Sequence, residues 1–162
     1  MSGRTVVTIT VSDTRSLADD RSGDRLAALL ADAGFRVVRR GPVKDDLEEL
    51  AALVSRTVSE EGVDAVILTG GTGVAPRDVT PEAVGRAIEK RLDGFGEEFR
   101  RRSIAQIGPR GMLSRAVCGV ARGRAVVALP GSTKAVELGV ELLLPILEHV
   151  IALAGGRPTD HK

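Results

Sequence analysis

Three clusters of residues carry the chemistry open to this sequence. The first is Gly70, Gly71, Thr72 and Gly73, followed in the same loop by Arg77 and Asp78. Small residues let backbone N–H groups approach an anion closely, and an aspartate beside such a cradle repels the anion unless a divalent cation bridges the two. The second is Lys44-Asp45-Asp46, ahead of an amphipathic run. Both acids cannot occupy one helix cap, so the surplus one is a candidate magnesium ligand or water-mediated contact. The third is the polar loop Ser12 to Gly23, where Ser12, Asp13, Thr14, Asp20 and Ser22 are candidate ligand contacts. Each cluster also has a plainer reading: the glycines as a tight turn, Arg77 as a solvated side chain, Asp78 as a complement to a helix dipole, and the first loop as ordinary loop composition.

Other chemistries are excluded by inventory. There is one cysteine, Cys118, so an internal disulfide is impossible and a cysteine-based zinc site is not expected. His149 lies in an apolar C-terminal pattern and His161 in the last two residues, which leaves no Ser-His-Asp or Cys-His arrangement. The glycine cluster lacks the lysine of a Walker A loop, and Pro76 stands where a dinucleotide fingerprint needs its third glycine. What remains is carboxylate, hydroxyl, Lys/Arg and glycine-backbone chemistry, the tools of phosphate and magnesium sites. The net charge of +1 and the three aromatic residues, all Phe, argue against a nucleic-acid binder. No apolar run of membrane-spanning length and no leader pattern is present, so no membrane contact and a cytoplasmic location are expected.

The elements that must position these clusters follow from patterning. Arg4 to Val11, Phe35 to Val43 and Val63 to Thr69 read as buried strands. Helical spacing runs from Ser22 to a Gly34 cap, and again from Asp45 or Asp46 to Gly62. Thr80-Pro81-Glu82 predicts a helix start with Thr80 as the capping hydroxyl. A further helix is expected over Phe95 to Ala105. A hairpin is expected from Ala116 to Val120 and Arg124 to Leu129, followed by a long apolar helix that Pro145 kinks or restarts. The apolar stripe of that last helix, from Ala135 to Ala154, is wider than one buried face needs, so a second subunit is expected to cover part of it. Alternating strands and helices imply an α/β fold with a mostly parallel sheet covered on both faces, in a single domain over residues 1–162. Ligands then gather beyond the carboxyl ends of the strands.

Several motifs together resemble the MogA/MoaB-type molybdenum cofactor biosynthesis proteins, related to the gephyrin G domain. They are VSDT with DRSG, VKDD, ILTGGTG, RDVTPEAV, DGFGEEFR, LSRAVCGVARGRAVVALPGS and KAV, spanning about Val6 to Leu147. Ser132-Thr133-Lys134, where many members read Ser/Asn-Pro-Lys, leans toward the MoaB branch. The resemblance implies a three-layer fold around a mixed sheet, and homotrimers, sometimes paired into hexamers. It also implies transfer of AMP from ATP to molybdopterin with Mg2+, releasing pyrophosphate. On that resemblance Asp45 and Asp78 are the catalytic, metal-holding acids. Thr69 to Gly73 (Thr69, Gly70, Gly71, Thr72, Gly73) and Pro130, Gly131 and Ser132 form the ligand loops, and Ser12 and Asp20 line the same pocket. A non-catalytic pterin-binding or delivery protein, and a nucleotide pyrophosphatase resembling CinA-type proteins, are the alternatives on the same scaffold.

Overall fold

The computed structural model describes residues 3–157; His161 lies outside them. The chain runs β1 (Thr5–Val11), α1 (Arg21–Asp32), β2 (Arg36–Val43), α2 (Leu47–Val58), β3 (Ala65–Thr69), α3 (Thr80–Ala87), β4 (Lys90–Arg91), α4 (Asp93–Ile107), β5 (Val117–Ala121), β6 (Arg124–Leu129) and α5 (Thr133–Ala154). One six-stranded sheet has the order β2-β1-β3-β6-β5-β4. The pairs from β2 to β6 are parallel, and β5 runs antiparallel to both its neighbours. The β5–β6 hairpin turns on Arg122 and Gly123, both at positive φ, as a tight two-residue connection requires.

Alternation along the central strands divides the core into two layers. Val6, Ala65, Ile67, Val127 and Leu129 face α1, α4 and α5. Val7, Ile9, Val66, Leu68 and Val126 face α2 and α3. Helices therefore cover both faces, the expected three-layer arrangement. The sheet ends in cations at both sides: β4 is two exposed residues, Lys90 and Arg91, and β2 carries Arg36, Arg39, Arg40 and Pro42.

Three expectations are corrected. Of the kink or restart expected at Pro145, the restart does not occur: α5 continues through it as one element. Its apolar stripe is largely covered by its own chain: Val136, Leu138, Val140, Leu143, Leu147 and Ile151 are buried in the core, and Leu142, Leu144 and Val150 pack against it. A helix lying across a sheet and wedged between α1 and α4 buries more than one face, which is why the stripe is wide. Only Ile146 and Leu153 remain as exposed large apolar residues on α5. Finally, Thr80 is the first residue of α3 and not its cap; Val79 holds the cap position without a side-chain bond.

Candidate functional site

Strand order reverses between β1 and β3, so the loops leaving their carboxyl ends part and open a crevice, with the loop after β6 beside them. A cleft of about 440 Å3 lies there, and it collects residues from five loops. The loop after β1 contributes Ser12, Asp13, Thr14 and Arg15, and the loop after β2 contributes Asp45. The glycine loop supplies Gly70 to Gly73, Arg77 and Asp78; Leu113 and Ser114 precede β5, and Pro130 and Gly131 follow β6.

The glycine loop is held by its carbonyls. Gly71 O accepts the Thr80 N–H at 3.0 Å, Thr72 O the Arg115 N–H at 3.1 Å, and Gly73 O the Arg115 Nε–H at 2.9 Å. Arg115 also donates to Asp78 O at 3.0 Å and pairs with Glu82. The N–H groups of Gly71, Thr72 and Gly73, by contrast, donate to no group among the described residues. A loop with its carbonyls engaged and successive amides free is an anion-receptive nest. Gly70 plays a different part. Its N–H is used by Leu129 O at 2.9 Å, and its positive φ places its Cα against Val11 O, where no side chain fits. A Cβ on Gly73 would come within 2.7 Å of Asp78 Oδ2, and one on Gly71 would collide with Thr80 Oγ1 and Asp45 Oδ1. The carboxylates thus stand directly against the nest.

Of the two acids before α2, Asp46 is the cap: its Oδ1 accepts the Glu49 N–H at 2.9 Å. Asp45 is therefore the surplus acid, and it lines the cleft. Its N–H donates to Asp13 Oδ1 at 2.9 Å, tying two loops together. Burial pushes the Asp45 carboxyl above the usual aspartate range, as do the charges of Asp13 and Asp78, with Arg77 opposing. Asp78 does not cap α3; its Oδ2 closes the loop by accepting the Ala75 N–H at 2.9 Å. Among the described residues no three acidic, histidine or cysteine side chains converge on a point that could hold a metal ion alone. Two carboxylates beside an anion nest do fit magnesium, which keeps several waters and takes the rest of its shell from phosphate oxygens.

Four predicted site residues lie outside the lining, Ser22 among them, buried in the first turn of α1 with its Oγ accepting from Arg15 Nη1 at 2.7 Å. Asp20 is buried beneath it, where it accepts from Thr10 Oγ1 at 2.6 Å and from the Gly23 N–H at 3.0 Å and pairs with Arg39, capping α1. Thr69 is buried and donates to Pro130 O at 3.0 Å, joining the glycine loop to the loop after β6. Ser132 caps α5 through the Ala135 N–H. Conversely, sequence reasoning gave no role to Arg15 or Arg115, because an arginine's reach hides its partner: Arg115 meets a loop 42 residues away. Cys118 is buried in the sheet with its thiol pushed up to about 12, so it is no nucleophile. His149 lies on α5 and does not line the cleft.

Fold and cleft together define the class: a three-layer α/β protein with an anion-receptive loop and opposed carboxylates at its strand ends. Residues 7–149 match the family model described as "Probable molybdopterin binding domain". Molybdenum cofactor biosynthesis protein B of Bacillus cereus is 44% identical over 144 residues, which cover 88% of this chain and 85% of that protein. A crystal structure of a molybdenum cofactor biosynthesis protein B superposes with a TM-score of 0.90 at 40% identity, covering 95% and 97% of the two chains. A molybdopterin biosynthesis protein from Mycobacterium abscessus superposes at 0.85 with 36% identity, covering 96% and 98%. The chain belongs to the MoaB/MogA family of molybdenum cofactor biosynthesis proteins. Among the described residues, no helix is long and apolar enough to cross a membrane.

Proposed function

We propose that the protein binds molybdopterin and ATP in this cleft and transfers AMP to the pterin, with Mg2+ as cofactor and pyrophosphate as leaving group. The observation that carries the reading is the loop Gly71 to Gly73, whose amides are free while its carbonyls are tied back, set against Asp45 and Asp78. A phosphate oxygen of molybdopterin attacks the α-phosphorus of ATP, and the bond from that phosphorus to the pyrophosphate oxygen breaks. The chain's part is to position and to neutralise. The nest amides hold one phosphate group, and Arg115 keeps the nest in shape by engaging Gly73 O and Asp78 O. Asp45 and Asp78 would hold magnesium, which when bound offsets the negative charge building on the leaving group. No histidine or cysteine is needed.

The protein works in the cytoplasm as a homotrimer in this reading, the trimer open to pairing into a hexamer. Exposed Ile104, Ile107, Met112 and Leu113, on the end of α4 and the turn after it, are the surface that favours assembly. Incubation with ATP, molybdopterin and Mg2+ tests the activity. Pyrophosphate released only when the pterin is present is the expected result. AMP formed without pterin would replace transfer by hydrolysis, and pterin binding without turnover would leave a delivery protein.

A further inference from the structure

The cationic side of the cleft has no part in the reading above. Two arginines line it, Arg15 and Arg77. Arg77 is near enough to Asp45 for its charge to favour that carboxylate. Arg15 makes no ion pair among the described residues. Its Nη1 donates to Ser22 Oγ at 2.7 Å and to Gly131 O at 3.1 Å, both uncharged, and its Nε and Nη2 donate to nothing among the described residues.

The group is nevertheless fixed. The Arg15 N–H donates to Ser12 Oγ at 3.1 Å, and the Ser12 N–H in turn donates to Val43 O at 2.8 Å. Ser22 is buried in the first turn of α1. Gly131 packs so closely on the glycine loop that a Cβ there would meet Gly70 Cα at 3.3 Å. The guanidinium is therefore preorganised at the corner where the loop after β6 meets the nest, and little rotamer freedom is left to lose when a ligand arrives. A tether between loops would need one nitrogen and no charge. It would not need a planar fork with two nitrogens unbonded at the wall of a cleft.

We propose that Arg15 is a metal-independent phosphate anchor, its Nε and Nη2 taking one phosphate group of the ligand as a bidentate fork. The inference rests on the cleft being a phosphate site, as proposed above, and not on the transfer reaction. The phosphate belongs either to the nucleotide or to the pterin, and the chemistry recognised is the same.

Isothermal titration with inorganic pyrophosphate in EDTA tests it. The wild type should bind, and Arg15→Gln, which keeps an amide to reach Ser22, should bind at least about tenfold more weakly. Arg15→Lys should recover only part of the loss, since an ammonium restores the charge without the fork. The wild-type advantage should collapse at about 1 M salt, where the screening length is about 3 Å, whereas loss of a mere tether would persist there. Equal binding by Arg15→Gln and wild type, a loss that survives high salt, or a wild type that binds no pyrophosphate without metal would each overturn the proposal. Repeating the titration with ATP and with molybdopterin identifies the source: the ligand weakened by Arg15→Gln is the one whose phosphate is held, and weakening of neither also overturns it. The transfer assay is scored separately, so absent turnover with Arg15-dependent binding intact removes the reaction and leaves the anchor.

Discussion

Asp78 combines two tasks in one side chain: Oδ2 closes the glycine loop on the Ala75 N–H, and Oδ1 makes no bond among the described residues. Asp78→Asn keeps the acceptor and loses the charge. Adenylyl transfer should then fall about a hundredfold or more while the melting temperature stays within a few degrees; a variant that melts early yet turns over normally would remove Asp78 from the mechanism. Thr80 shows the converse separation. It is fully buried, yet its hydroxyl caps nothing and has no hydrogen-bond partner among the described residues. Replacing such a group by an apolar one of the same shape costs nothing, so Thr80→Val should melt at or above the wild-type temperature, as thermal unfolding by circular dichroism will show. Asp45 carries a cost of the same kind in its charge. A carboxyl whose folded pKa is raised favours the folded state below its unfolded pKa, and that contribution is lost as pH rises through the folded value. Asp45→Asn should therefore melt above wild type at pH 7, with the advantage shrinking to nothing as the pH falls through the carboxylate range. A difference independent of pH would assign the gain to something other than this charge.

At the scale of elements, α5 and β6 pack with no room for a side chain between them. A Cβ on Gly139 would meet Leu129 Cδ2 at 2.5 Å and Cδ1 at 2.8 Å, with Leu129 fully buried and unable to turn aside. Gly139→Val should cost about 1–3 kcal/mol by overpacking, measured by urea unfolding. That glycine was not legible in the sequence, because its reason lies in a strand that meets the helix only in the folded chain. The elements themselves were legible wherever periodicity alone decides: β1, β2, β3, the hairpin and all five helices fall within a few residues of their predicted places. Strand β4 was not, since two charged residues carry no pattern and pair only because β5 offers an edge. The glycine loop and Asp45 could be singled out because they are local in sequence. The capping roles of Asp20 and Ser132 were hidden for the opposite reason: a polar residue in a loop next to a helix reads alike whether it faces a ligand or caps the helix.

For the molecule as a whole, Ile104, Ile107, Met112 and Leu113, at the end of α4 and the turn after it, are exposed, against only Ile146 and Leu153 on α5. Light scattering coupled to size exclusion should give about three times the 17.0 kDa chain mass, and a stable mass of one chain over a wide dilution range would exclude the trimer. The two cationic margins of the sheet bear on how such an assembly can form. An edge strand offers unpaired backbone groups to any passing strand, and lysine, arginine and proline are what make that offer unattractive. Here one margin is a two-residue stub, Lys90-Arg91, and the other carries three arginines and a proline. A second copy laid edge to edge would find no donor at Pro42 and would have to displace the ion pairs of Arg39, Arg40 and Arg91. Self-association is thereby steered away from open-ended growth by sheet extension, the route by which exposed edges polymerise into fibrils, and toward closed contacts made by helices and loops.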